Sequence, residues 1–396
     1  MYGTKVKLPE STSQNYQSPK KLRILHVVGG MSSGGIETWL MHVLRHIDRD
    51  RFEMDFLVHT TEECHYDDQV RALGSRIIPC PDAHQPWIYG GKFKKILREY
   101  GPYDIVHSHI HHFSGYVLRL AKQAGIPIRI SHSHNDTSSN QAKAGFKRRL
   151  YLKLMRRWIN RYSTIGLACS HQAAASFFGT DWAADPRWQA LYYGINLKPF
   201  QEAIDPIAVR QELAIPEDAF VIGHVGRFVE QKNHKFLLEI VAEVAKREPK
   251  TRLVLIGDGS LRPEIEQQAT LLGLRDCTIF AGIRPDVPRL MRAMNTFLLP
   301  SLFEGLGLVL IEAQTAGVPC IFSDLIPQEV DLVKPLVQRL SLSQSAEEWT
   351  EAILAQTSAE TKMSQSEALA LVETSKFNIE TAVTKLENIY QAQVRV

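Results

Sequence analysis

Cysteine is scarce in this chain of 396 residues: Cys64, Cys80, Cys169, Cys277 and Cys320 are scattered and odd in number. No two form a C-x-x-C pair, so neither a zinc ribbon nor a disulfide framework is indicated, and a reducing cytosol is the simplest setting. No apolar run approaches the roughly 18–20 residues of a membrane span. Residues 1–20 are polar, with Pro9, Ser11, Thr12, Ser13 and Pro19, and lack the apolar stretch of a signal peptide. They read as a flexible tail. Beyond them there is neither a low-complexity segment nor a tandem repeat. The net charge of +3 is small and by itself excludes no partner. Acidic residues, however, are missing from the whole stretch between Thr137 and Thr180.

What is present is a long alternation of strand-length apolar runs with helical patterns, which predicts an α/β fold with parallel sheets. The length suits two domains of roughly 150–200 residues each. Strands are expected at Arg23–Val28, Phe52–His59, Ile105–Ser108, Ile128–His132 and Ile165–Ser170, and helices at Ile36–His46 and Tyr116–Ala124. The pattern then restarts, with strands at Ala219–Val225, Arg252–Ile256, Thr278–Ala281, Asn295–Pro300 and Val318–Phe322. Between them lie helical stretches at His234–Arg247, Pro263–Leu272 and Val287–Ala293. The natural reading is two Rossmann-like domains in tandem, facing one interdomain cleft. Residues 1–20 form the tail, 21–197 the first domain and 198–375 the second. The turn Tyr193-Gly194-Ile195-Asn196 marks the junction. The helical spacing from Ile379 to Val394 is expected to return to the first domain, which adds residues 376–396 to it.

The segment from Pro300 to Ala313 carries the most chemistry. An apolar strand feeds a glycine-rich turn holding Glu304, and Glu312 follows eight positions later on the next helix. Free N–H groups at such a turn suit an anion, whereas carboxylates accept hydrogen bonds from hydroxyls. Together they suit a ligand with phosphate and sugar, such as a nucleotide sugar. Arg227 and Lys232 flank another strand-to-helix loop, where a diphosphate would find a guanidinium fork, an ammonium and helix N–H groups. A solvated surface pair is the plain alternative. The run Gly29-Gly30-Met31-Ser32-Ser33-Gly34-Gly35 does not spell G-x-G-x-x-G. It serves either a tight turn or close backbone approach to a ligand, and two glycine pairs favour the latter.

Histidines two apart on a strand share a face. His107, His109, His132 and His134 therefore suit hydrogen bonding to sugar or phosphate, metal ligation, or packing; no carboxylate pattern accompanies them to favour a metal hydrolase. The acid-free stretch places Lys143, Lys147, Arg148, Arg149, Lys153, Arg156, Arg157 and Arg161 among apolar residues at spacings of three and four. This is a basic amphipathic helix, suited to anionic lipid more than to nucleic acid, with a solvated domain face as the alternative.

Gly226-Arg227-Phe228 with Lys232, the E-x7-E from Glu304 to Glu312 and the Gly-Gly turn after the first strand resemble the GT-B glycosyltransferases of family 4. Ile130-Ser131-His132-Ser133-His134-Asn135 and Ile311-Glu312-Ala313-Gln314 resemble the branch that builds bacterial exopolysaccharide and capsule. The resemblance covers about residues 22–335. It implies a GT-B fold and a retaining hexosyltransferase that needs no metal or other cofactor. The donor would be a nucleoside diphosphate sugar, with UDP expected, and the acceptor a lipid-linked saccharide at the inner face of the cell membrane.

By the same resemblance, Arg227 and Lys232 hold the donor diphosphate, Glu312 the ribose hydroxyls, and Glu304 sits by the transferred sugar. N–H groups of Gly305, Leu306, Gly307 and Leu308 cap sugar and phosphate. Gly34 and Gly35 approach from the first domain, His109 lies near the sugar's reactive face, and His132 and His134 lie on the acceptor or sugar side. The base is expected near Ile283 and Arg284. Lys147, Arg148, Arg149, Lys153, Arg156 and Arg157 would dock on the membrane, and nucleic acid is not an expected partner. Asn196 and Asn295 depart from aspartates common in the family. Other readings of these residues are a nucleotide-sugar epimerase of the same fold and a non-catalytic nucleotide-sugar sensor.

Overall fold

The computed structural model describes residues 20–32, 34–135, 145–358 and 363–392. The expected tail, Asp136, Lys143 and the last residues of the chain therefore lie outside the description, apart from Lys20. Two parallel sheets carry the fold. The first contains β1 (Leu22–Val28), β2 (Phe52–Val58), β3 (Ile77–Pro79), β4 (Ile105–Ser108), β5 (Ile128–Ser133), β6 (Ile165–Ala168) and β7 (Trp188–Ala190), in the order β3-β2-β1-β4-β5-β6-β7. The second contains β8 (Phe220–Val225), β9 (Thr251–Ile256), β10 (Thr278–Gly282), β11 (Thr296–Leu299), β12 (Cys320–Ser323) and β13 (Val337–Leu340), in the order β10-β9-β8-β11-β12-β13. Every pairing is parallel.

Both orders reverse direction beside their first strand, at β1/β4 and at β8/β11. Loops diverge at such a switch point and leave a crevice beyond the strand ends. Here one crevice receives the loops after β1 and β4, and the other those after β8 and β11.

The central strands were legible because helices cover both their faces, which makes their sequences continuously apolar. In the first sheet Leu25, Val27, Leu57 and Val106 pack with Tyr89, Phe93 and Val117 on one face. Ile24, Phe56, Ile105 and Ile130 pack with Trp39, Leu40, Leu386 and Tyr390 on the other. The strands absent from the sequence reading, β3, β7 and β13, span three or four residues each at or near sheet edges.

The C-terminal helix, Ile379–Ala392, does return to the first sheet. It packs on the helix Gly35–His46, and Glu387 accepts a hydrogen bond from the Asp48 N–H at 2.8 Å. The crossing is stitched by Ile195 N–H to Phe377 C=O at 2.8 Å and Ile379 N–H to Ile195 C=O at 3.2 Å. Gly194 permits this approach, since a Cβ there would stand 2.4 Å from Ile379 Cα. Gly194→Ala is expected to cost about 1–3 kcal/mol through forced backbone separation. A urea midpoint equal to that of the parent chain would refute it.

Candidate active site between the two sheets

On the second-domain side, β8 runs into Gly226 and a short turn, Glu230–Lys232, closed by Asn233 in the left-handed region at φ 53°. Its side-chain amide donates to Pro300 C=O at 3.1 Å. Gln231 donates to Phe303 C=O at 2.9 Å and to Glu304 at 3.3 Å. These contacts tie the loop after β8 to the loop after β11. Lys232 Nζ meets Glu304 Oε1 at 2.6 Å, and both side chains are largely buried. Arg227 is exposed and forms no ion pair among the described residues.

Gly307, at φ 85° and ψ 45°, caps the helix Leu308–Thr315. This left-handed geometry favours glycine. The turn aims the first N–H groups of that helix into the cleft end of the second sheet. Glu312 lies half-buried on the same helix with no side-chain partner among the described residues. Burial pushes its carboxyl from an ordinary 4.5 up to about 7.

From the first domain, Gly34 is the N-cap of the helix Gly35–His46. A Cβ on Gly34 would stand 2.3 Å from Glu37 Oε2, whereas Gly35 has open space around it. Burial raises the Glu37 carboxyl, and the positive charge of Arg227 across the cleft opposes that rise. The domains touch where Ser170 Oγ donates to Gly305 C=O at 2.6 Å and His171 N–H donates to Glu329 at 2.7 Å.

Five imidazoles meet beneath the cleft: His26, His107, His109, His132 and His134. Their ring nitrogens form one chain with two tyrosines. Tyr390 OH contacts His107 Nδ1 at 2.8 Å, and His107 Nε2 contacts His132 Nδ1 at 3.1 Å. His132 Nε2 lies 3.5 Å from Tyr193 OH, which also binds His134 Nδ1. His134 Nε2 meets His109 Nδ1 at 2.8 Å, and His109 Nε2 meets His26 Nδ1 at 2.9 Å. Burial holds all five well below the usual imidazole range. The rings are therefore neutral, and each can accept at one nitrogen and donate at the other. Both His109 nitrogens are engaged inside this chain.

The residues singled out in the sequence thus gather at the two switch points. Arg227, Lys232, Glu304, Gly305, Leu306, Gly307, Leu308 and Glu312 sit around the loops after β8 and β11. Gly34, Gly35, His109, His132 and His134 sit on the facing side. Ile283 is 55% exposed just past β10, whereas the Arg284 guanidinium is occupied by Asp286 at 2.7 Å and Glu212 at 3.0 Å. Gln231, Asn233, Ser170, Tyr193 and Tyr390 were missed as side-chain contributors. Of these, Gln231 and Asn233 had a local signal in the loop around Lys232, and Tyr193 in the glycine-containing junction turn.

The basic helix spans Phe146–Tyr162 and buries Leu152, Met155 and Ile159. Phe146, Leu150 and Leu154 are 82%, 60% and 42% exposed. At 100° per residue they lie nearly opposite the buried stripe. Lys147, Arg148, Arg149, Lys153, Arg156 and Arg157 are exposed on this helix, with Arg156 also donating to Ser176 C=O at 2.9 Å. Among the described residues no helix is long and apolar enough to cross a membrane.

Comparison with known proteins bears on this geometry. Residues 207–367 match the family described as Glycosyl transferases group 1, and residues 33–198 match Glycosyltransferase Family 4. The chain is 39% identical to EpsF of Bacillus subtilis (strain 168), named as a glycosyltransferase, over 84% of this chain and 86% of that one. It is 26% identical, over 77% of this chain and 80% of the relative, to the Escherichia coli UDP-Gal:alpha-D-GlcNAc-diphosphoundecaprenol alpha-1,3-galactosyltransferase. Anabaena Alr3699/HepE, solved in complex with UDP-glucose, superposes with a TM-score of 0.76 at 20% identity, covering 94% of this chain and 100% of the other.

Proposed function

This chain belongs to the glycosyltransferases of group 1 and family 4, and from that premise we propose that it moves a hexose from a UDP-sugar to a lipid-linked saccharide, with retention of anomeric configuration, in exopolysaccharide or capsule assembly. The observation that carries this reading is that Arg227, the Lys232–Glu304 pair and Glu312, which has no side-chain partner among the described residues, lie on the loops and helix around one glycine turn. Arg227 and Lys232 serve the diphosphate as fixed cations, so charge developing on the leaving group needs no metal bound to the phosphates. Glu312 takes the ribose hydroxyls, and Glu304 orients the sugar while Lys232 holds it in place. The test is a donor panel scored by nucleotide release with membrane extract as acceptor. Turnover of a UDP-hexose only when acceptor is present supports the reading. An isomeric sugar nucleotide formed from donor alone refutes it.

Glu312 gives the site a pH dependence. Its raised carboxyl favours the protonated folded state, so its contribution to stability is largest at low pH and is lost as the pH rises from 4.5 to about 7. Donor binding has the opposite sign, because ribose hydroxyls bond best to the ionised carboxylate. UDP affinity is expected to fall by up to about tenfold for each pH unit below neutrality, and Glu312→Gln to flatten that slope. Calorimetric titration with UDP across neutral pH would show it, and a flat profile in the parent chain would refute it.

The outward stripe of Phe146, Leu150 and Leu154, flanked by Lys153 and Arg157, fits shallow docking on an anionic bilayer at the inner face of the cell membrane. Binding to anionic vesicles should weaken with salt. Equal partition onto neutral vesicles would remove the electrostatic part.

A further inference from the structure

The chain crosses between the domains twice, after β7 and again on the way into the helix Ile379–Ala392, and the two crossings meet where Ile195 pairs with Asn378. Four side chains gather beside them. Glu329 comes from the second domain, in the short turn Gln328–Val330 that follows β12. His171 opens the helix His171–Phe178 of the first domain. Tyr192 and Lys376 belong to the two crossings themselves. We propose that Glu329 is a positioning residue, a clasp beside the interdomain crossing that holds the start of His171–Phe178 against the loop after β11 and thereby fixes Gly305 for turnover. The kinetic consequence rests on the transferase reading; the conformational one does not.

Glu329 Oε1 accepts the His171 N–H at 2.7 Å and lies 3.7 Å from His171 Nδ1. The N–H groups of a helix's first turn have no partner within the helix, and the dipole there favours a negative charge. An exposed ion pair between mobile side chains holds little. This carboxylate is 11% exposed, and its donor is a backbone group that cannot swing away. The His171 ring is held in turn, with Nε2 3.0 Å from Tyr192 OH. Lys376 Nζ stands 3.9 Å from the centre of the Tyr192 ring. Burial pushes that ammonium below its ordinary range, and the charge of Glu329 opposes the fall.

The clasp reaches the loop after β11 through one peptide step. Ser170, immediately before His171, is the N-cap of the same helix. Its Oγ accepts from Ala173 N–H at 3.1 Å and gives its one proton to Gly305 C=O at 2.6 Å. Because the two residues are adjacent, Glu329 sets the reach of the Ser170 hydroxyl by holding His171. Gly305 follows Glu304, which Lys232 and Gln231 hold from the second domain at 2.6 and 3.3 Å. The backbone at residues 304–305 is thus fixed from both domains at once. Release of the clasp frees it on the first-domain side, just before the N–H groups of Leu306, Gly307 and Leu308.

The experiment compares Glu329→Ala, Glu329→Gln and His171→Pro with the parent full chain, by solution scattering without ligand, calorimetric titration with UDP, and kinetics with a UDP-hexose and membrane extract. Proline at the first helical position removes the N–H and keeps the helix, and Ser170 already has the extended backbone, φ −150° and ψ 165°, that a following proline requires. Glu329→Ala and His171→Pro should each enlarge the radius of gyration and lower kcat by about ten- to a hundredfold, the reach of one charge-assisted hydrogen bond. UDP affinity should change much less than kcat. Glu329→Gln keeps an oxygen that can accept the N–H, and should recover part of the loss. Parent-like scattering in both Glu329→Ala and His171→Pro overturns the proposal, as does enlarged scattering with parent-like kcat. If Glu329→Ala does not fold, His171→Pro decides. A parent chain that turns over no UDP-hexose overturns the transferase reading instead, and scattering then decides the clasp alone.

Discussion

Arg227→Ala should lower turnover by about 10²–10³-fold while leaving the folded state as stable as before. The side chain is exposed and forms no ion pair among the described residues, so its removal orphans no buried group. What it loses is charge facing the place where the diphosphate leaving group would form. Lys232→Ala should behave differently. Its ammonium pairs with Glu304 at 2.6 Å, and Glu304 is only 6% exposed. Removing the cation leaves a buried carboxylate with only the Gln231 amide at 3.3 Å, at a further cost of about 1–3 kcal/mol in stability. Single-turnover kinetics and urea denaturation on both variants separate the two effects. Unchanged turnover in Arg227→Ala would remove the guanidinium from the donor site. Equal destabilisation by both substitutions would contradict the assigned environments.

Gly305→Ala should lower turnover by at least about 10²-fold through the domain seam. A Cβ on Gly305 would stand 1.7 Å from His134 C=O, which is backbone and cannot rotate away. The Ser170 hydroxyl bonds to Gly305 C=O at the same point. Alanine therefore separates the loop after β11 from the loop after β5, and the donor groups lose their facing half. Gly305 lies in a loop outside both sheets, so thermal unfolding should change little while solution scattering reports a larger radius of gyration. Parent-like scattering together with parent-like turnover would refute the claim that this contact sets the seam.

How much of this was legible in the sequence depends on how local each cause is. The central strands were, because a strand covered on both faces must be apolar throughout. The strands β3, β7 and β13 were not, since three or four residues at or near an edge carry no distinctive run. Glu304 and Glu312 stood out because eight positions bridge one turn and one helix. The pairing of Glu304 with Lys232 did not, because it joins two loops 72 residues apart. The histidines showed their shared face by alternation. The tyrosines completing their chain come from the junction turn and the last helix, which no local pattern connects to β4 and β5. The basic helix announced its charge, but only the packed structure shows two apolar stripes on opposite sides.

The position of Tyr390 also bears on how the protein is made. Its hydroxyl closes the chain of rings beneath β4, and its helix fills the face of the first sheet beside Gly35–His46. A polypeptide emerging from the ribosome presents the first sheet early, but the helix that covers it follows only after the whole second sheet. The first domain must therefore hold this apolar face open until Ile379–Ala392 has emerged, after every strand of the second sheet. Chains interrupted between residues 340 and 378 would leave His107 and the apolar face around it uncovered, and so would be marked for aggregation or degradation.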